Sequence, residues 1–256
     1  MSKNSDSLSE NSIEVVIAIP SYNETATLPI LIKELSPFME ASDAILILDD
    51  SELEIYNEIK LLTQKSFNNS KGSLFFSNPN GKSGRGIAIR RGMAISRKQF
   101  PKLKYFIECD ADGSHQVSDI LKIKNYEMSC DLLVGSRYLA ESTIIGWSNK
   151  RKFFSKILNF IIPFILNIPI TDITNGLRRY TSGSVEQILA TEQINKGFIY
   201  LSEQVFILHI NKFKITEIPI TFIERILGNS TVTWREIVDS LKGIFYLFIL
   251  KKKMNV

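Results

Sequence analysis

Cysteine is almost absent from this chain of 256 residues, which has only Cys109 and Cys130. Two thiols build neither a disulfide framework nor a four-ligand zinc site, and they read as buried thiols of a reducing compartment. Histidine is as scarce: His115 and His209 are the only two, and neither stands out as a catalytic base. A long hydrophobic run is also missing. The longest uncharged stretch, Ile157 to Thr171, is interrupted by Asn159, Pro163, Asn167 and Pro169, whereas a spanning helix needs about 20 mostly apolar residues. The polar start, MSKNSDSLSENSIE, lacks the apolar segment of a signal peptide, so residues 1–12 are expected to form a disordered tail and the chain to be cytoplasmic. Charge of one sign is lacking too, since 31 Lys plus Arg against 27 Asp plus Glu leave a net +4. That excess is too mild to propose nucleic acid as a partner. With 44% hydrophobic and 23% charged residues, the composition is that of a globular protein, and no repeat or low-complexity linker divides it.

What is present is an alternation of short apolar runs and helical periodicity. EVVIAIP reads as a strand and ETATLPILIKELSPFM as a helix; AILIL is followed by LEIYNEIKLLTQK, and SLFFS by the glycine-rich NGKSGRG and the helix IAIRRGMAISRKQF. YFIECDAD and DLLVGSRY are further strands on either side of the helix VSDILKIKNYEM. This order predicts an α/β fold with a mostly parallel sheet and helices on both faces, in which ligands bind beyond the C-terminal strand ends. Ser21 to Glu24, Asp49, Asp50, Asp110, Asp112 and Arg137 fall at those ends. Beyond Tyr138, TDITNGLRRY reads as a loop, FIYLSEQVFILHINK as a helix and KITEIPITFIE as a strand. KRKFFSKILNFIIPFIL and LKGIFYLFILKKK pair basic with aromatic residues, as interfacial segments do. Residues 150–170 are therefore expected to lie at a membrane interface, and 228–256 to form a C-terminal amphipathic helix after a main domain spanning 13–227.

Asp110 and Asp112 form an Asp-x-Asp at a strand end, where hard oxygens can hold Mg2+ or Mn2+ against a diphosphate. Alone, such a pair reads first as a solvated acidic turn. An EF-hand loop fails at Ser114 and Leu121. An aspartyl phosphatase carrying Asp-x-Asp-Gly-Ser stays open, although its motif belongs on a first strand. NGKSG lacks the first glycine of a P-loop, because Phe76 stands there, and GKSGRG lacks the last glycine of the dinucleotide fingerprint at Ile89. What remains is a flexible loop opening a helix, with Lys82 as a phosphate contact.

Taken in order, IPSYNE, LDDS, NGKSGRGIAIRRGM, ECDADGSH, GSRY, KRKFFS, DITNGLRRY, EIPITFIER and GNST resemble the family 2 glycosyltransferases, in particular the polyprenyl-phosphate mannosyltransferases of the dolichol-phosphate-mannose synthase type. The resemblance implies a GT-A fold and an inverting transfer of a hexose, mannose from GDP-mannose in the first instance, from a nucleotide-sugar donor to a polyprenyl-phosphate acceptor. It also implies Mg2+ or Mn2+ and a peripheral place at the cytoplasmic face of a membrane. Carried over by position, Pro20, Tyr22, Glu24 and Asp50 become nucleotide contacts, and Asp110 and Asp112 the metal and diphosphate site. Arg137, Arg151 and Ser155 become the lipid-phosphate cradle, and Arg225 a donor-phosphate contact. Two alternatives accompany this reading. One is transfer to a glycan or protein hydroxyl, for which Glu203 is the candidate base; the other is a non-catalytic nucleotide-sugar-binding scaffold.

Overall fold

The computed structural model describes residue 10 and residues 12–193, 195, 197, 199–224 and 234–253. The predicted βα alternation appears as β1 (Val15–Ser21), α1 (Thr27–Leu35), β2 (Asp43–Asp49), α2 (Leu53–Ser66), β3 (Ser73–Ser77), α3 (Arg85–Gln99), β4 (Tyr105–Glu108), α4 (Val117–Lys124) and β5 (Leu132–Ser136). The second half adds β6 (Thr143–Ile145), α5 (Asn149–Leu166), β7 (Arg178–Thr181), α6 (Ser182–Ala190), α7 (Tyr200–Ile210), β8 (Ile215–Pro219), β9 (Thr221–Ile223) and α8 (Trp234–Lys253).

Seven strands form one sheet in the order β3-β2-β1-β4-β7-β5-β8, and all neighbours run parallel except β7, which is antiparallel to both β4 and β5. The strands read as continuous apolar runs because both faces are covered, and successive side chains serve opposite faces. Val16 and Ala18 of β1 pack into a core shared with α3, α5, α6, α7 and α8, while Ile17 and Ile19 pack into a second core shared with α1, α2 and α4.

Three segments differ from the expectation. TDITNGLRRY is not all loop, since its last residues form β7 between β4 and β5. The two arginines hide the strand pattern, but both are buried: Arg178 donates to the carbonyls of Ile173, Asn175 and Leu201, and Arg179 to that of Tyr126. Tertiary pairing thus overrides local composition. SGSVEQILA, to which the sequence pattern assigns no element, forms α6, with Thr181 as N-cap accepting from the Ser184 N–H. KITEIPITFIE divides at Ile220, and its second part pairs with β6 in a separate two-stranded sheet. This small sheet carries Trp147, Phe222 and Glu224 to the C-terminal end of the main sheet, where they line a cleft.

α5 is amphipathic. Asn159, Ile162, Pro163 and Leu166 are buried, whereas Phe153, Phe154, Phe160 and Phe164 are exposed. The helix closes at Asn167, whose φ of 57° is the left-handed C-cap conformation that asparagine tolerates. α8 lies beside it, with Lys251 Nζ donating to the Ile165 carbonyl at 2.9 Å. Residues 1–9 and 11 of the expected tail, Arg225, the GNST segment and the expected boundary at 227/228 lie outside the described residues.

Candidate active site

A cleft of about 420 Å³ opens at the C-terminal end of the main sheet. It gathers residues far apart in sequence. Pro20 is the penultimate residue of β1, with Tyr22 and Glu24 just beyond the strand; Asp50 follows β2; Lys82 belongs to the glycine-rich loop. Asp110 and Asp112 follow β4, Arg137 follows β5, and Arg151 stands in the first turn of α5.

Asp50 organises the glycine-rich loop. Its Oδ2 accepts from the Ser83 N–H at 2.9 Å, the Ser83 hydroxyl at 2.6 Å and the Gly84 N–H at 3.1 Å, and its Oδ1 pairs with Arg91 at 3.0 Å. Gly84, at φ 98°, supplies the left-handed turn that starts α3. Lys82 hangs over the Tyr22 ring, 4.7 Å from its centroid.

The Asp-x-Asp turn is tightly held. Gly113, at φ 75°, allows the Ser114 N–H to fold back onto Asp112 Oδ1 at 3.0 Å. Buried His115 accepts the Asp110 N–H on Nδ1 at 3.0 Å, which places its proton on Nε2, facing Asn175 Oδ1 at 3.0 Å. His115 therefore shapes the turn. Asp110 pairs with Arg85, which also donates to Glu108. Burial pushes the Asp110 carboxyl up, but the charge and hydrogen bond of Arg85, helped by the charge of Arg137, outweigh burial and hold it below the usual carboxylate range.

Arg137 is fixed by a buried carboxylate that the sequence reading did not single out. Its Nε and Nη2 donate to the two oxygens of Asp172 at 2.7 and 2.8 Å, and its backbone N–H donates to Oδ2 at 2.9 Å. The rings of Trp147 and Phe222 each lie 5.3 Å from its guanidinium. Arg151 stacks over Trp147 at 4.2 Å and pairs with Glu224 at 2.5 Å.

Two expected residues are placed elsewhere. Ser155, one turn after Arg151 on α5, accepts the Tyr138 hydroxyl at 2.6 Å and does not line the cleft. Glu203 is buried in α7, where its Oε2 accepts from the backbone and side-chain nitrogens of Asn195 at 2.9 and 3.0 Å. It does not line the cleft either. The residues missed from sequence are Arg85, Glu108, Asp172, Trp147, Tyr200 and Glu224. Arg85 and Asp172 sat inside segments already noted, NGKSGRG and DITNGLRRY, but nothing local distinguished them from solvated charges.

The donor set suits a hard cation such as Mg2+ or Mn2+ held by Asp112 together with a substrate's own oxygens. Among the described residues no group of three or more His, Cys, Asp or Glu converges to hold a metal alone. Cys109 is not a candidate ligand, since burial pushes its thiol far up.

The sequence profile described as Glycosyl transferase family 2 matches residues 16–189. A polyprenol monophosphomannose synthase of Mycolicibacterium smegmatis is 27% identical over 239 residues, covering 88% of this chain and 83% of that protein. An undecaprenyl-phosphate mannosyltransferase of Micrococcus luteus is 28% identical over 226 residues, covering 86% and 88%. Among solved structures, glucosyl-3-phosphoglycerate synthase from Mycobacterium tuberculosis, in complex with Mn2+, UDP-glucose and phosphoglyceric acid, superposes with a TM-score of 0.63 at 11% identity, over 94% of this chain and 82% of that one. At that identity the likeness concerns the fold alone, which is GT-A.

Proposed function

Since the chain belongs to glycosyl transferase family 2 and is a glycosyltransferase, we propose that it moves a hexose, mannose from GDP-mannose, onto a polyprenyl phosphate with inversion at the anomeric carbon. The observation that carries the acceptor is the pair Arg137 and Arg151, which line one cleft with Asp112 and Lys82. Asp172 takes the Nε and Nη2 of Arg137 and so orients the guanidinium, whose Nη1 is the arm that suits a phosphate. Arg151 rests on Glu224, an exchangeable partner that an acceptor phosphate replaces.

On the donor side, Pro20, Tyr22 and Glu24 border the nucleotide, Asp50 shapes the loop that meets it, and Lys82 reaches its phosphates. Arg225 is a further donor-phosphate contact in this reading. Asp112, with Asp110, holds Mg2+ or Mn2+ in this reading; when bound, the cation offsets charge on the departing diphosphate. A phosphate monoester has a second pKa of about 6 and is largely dianionic at neutral pH, so it attacks without a general base. The seclusion of Glu203 agrees with that requirement and disfavours a hydroxyl acceptor.

No helix of the described residues is long and apolar enough to cross a membrane. The exposed phenylalanines of α5, beside Lys150, Arg151 and Lys152, support a place on the cytoplasmic face of a bilayer, where a polyprenyl phosphate resides. The deciding experiment offers labelled GDP-mannose, UDP-glucose and UDP-N-acetylglucosamine separately with a polyprenyl phosphate and Mg2+ or Mn2+. Formation of a mannosyl lipid from GDP-mannose alone is expected. Product formed only with a glycan or protein acceptor overturns the proposal.

A further inference from the structure

The proposed chemistry leaves one buried cluster at the cleft floor unused. Arg85, at the start of α3, points its guanidinium at the C-terminal end of β4. Its Nε and Nη2 donate to Glu108 Oε1 at 3.2 and 2.8 Å, and its Nη1 pairs with Asp110 Oδ1. The Tyr200 hydroxyl accepts from Nε at 2.9 Å and donates to the same oxygen of Glu108. Glycine at position 176 makes the room, since a Cβ there would collide with Nη2. Glu108 is fully buried, and its Oε2 has no hydrogen-bond partner among the described residues. Such a carboxylate requires a fixed counter-charge, so Glu108 anchors Arg85, and the remaining arm of the guanidinium is held on Asp110.

We infer that Arg85 is a positioning residue that sets the cation affinity of the Asp110 and Asp112 pair. By occupying Asp110 Oδ1 it makes the empty cleft a poor site for a free divalent cation, so that the cation is retained together with the donor's diphosphate. The inference rests on the proposed reading of that pair as the cation site. With the guanidinium in place, Asp110 Oδ1 is withheld from a cation, and the donor's phosphate oxygens supply the missing ligands. Arg85 thereby couples cation binding to donor binding.

The probe is Mn2+, with binding followed by the paramagnetic resonance of the free ion, first with Mn2+ alone and then with GDP or UDP added. The variants are Arg85→Leu combined with Glu108→Gln, Glu108→Gln alone, and Arg85→Lys. In the double variant the fully buried charge of Glu108 is removed together with that of Arg85, Asp110 keeps 20% of its side chain exposed, and the amide still accepts the Tyr200 hydroxyl. An opposite charge within about 4–6 Å changes a carboxylate's proton affinity by about one to three powers of ten. The same competition predicts that the double variant binds Mn2+ alone at least about tenfold more tightly than wild type, with a far smaller change once nucleotide is present. Glu108→Gln keeps Arg85 on Asp110 and should resemble wild type. Arg85→Lys keeps the charge but lacks the fork that reaches both acids, and should fall between. Wild-type affinity for Mn2+ alone in every folded Arg85 variant overturns the inference, as does equal tightening by Glu108→Gln. Wild-type protein that retains no Mn2+ even with GDP or UDP fails differently, since it removes the cation reading of the pair and this inference with it.

Discussion

Asp112 lines the cleft and Asp172 lies buried behind Arg137, and the two acids answer to different experiments. Asp112 lies on a surface turn outside the two cores. Asp112→Asn should therefore abolish turnover while leaving the unfolding temperature within a few degrees of wild type, and a variant that unfolds instead would make the residue structural. Asp172 is fully buried against Arg137. Asp172→Asn strands a buried guanidinium and should cost about 3–5 kcal/mol of stability, read by chemical denaturation. Burial alone would raise the Asp172 carboxyl, but Arg137's charge and hydrogen bonds more than reverse this and lower it. A carboxyl lowered in the folded state stabilises above its unfolded pKa, about 3.9, and loses that contribution as pH falls through the folded value. Thermal stability should thus hold at neutral pH and decline below about pH 4, with a shallower decline in Asp172→Asn. For the acceptor, Arg151→Ala should weaken polyprenyl-phosphate use about tenfold or more, since a charge-assisted hydrogen bond is worth about 1.5–3 kcal/mol. Donor binding should stay near normal. Glu203→Gln should keep most activity; severe loss there, with Arg151→Ala unaffected, would point to a hydroxyl acceptor.

The first four βα repeats could be recognised from sequence because doubly covered parallel strands are short, apolar and bounded by turns, as in DAILILD, where all seven residues are buried. The cleft's acids and basic residues were likewise visible at strand ends. Three kinds of element were not. β7 carries Arg178 and Arg179, whose guanidinium N–H groups donate to carbonyls from segments distant in sequence, and no local pattern announces such partners. β6 and β9 are three residues each and exist through each other. The Arg85, Glu108 and Tyr200 cluster joins α3, β4 and α7, so only the assembled fold separates it from surface charge. At this scale α5 also makes a prediction. Replacing Phe153, Phe160 and Phe164 with serine should sharply reduce flotation of the protein with anionic vesicles while leaving its fold intact, because these side chains are more than 60% exposed. Wild-type protein that stays soluble with such vesicles at low salt would refute the membrane proposal.

For the molecule as a whole, the place of β7 governs how the chain is assembled. β4 and β5 are separated in the sheet by β7, a strand that follows β5 by some forty residues and pairs with both neighbours. Until it arrives, β1 to β4 and β5 can form only separate fragments, each with an unpaired edge at what becomes the middle of the sheet. Open edges of apolar strands invite pairing with other chains. Closing so distant a contact is also slow. During synthesis the N-terminal half therefore emerges long before its keystone strand, and a nascent chain stopped before residue 178 should be a strong client for chaperones and should aggregate on release. Extending the same stalled chain past residue 181 should relieve both.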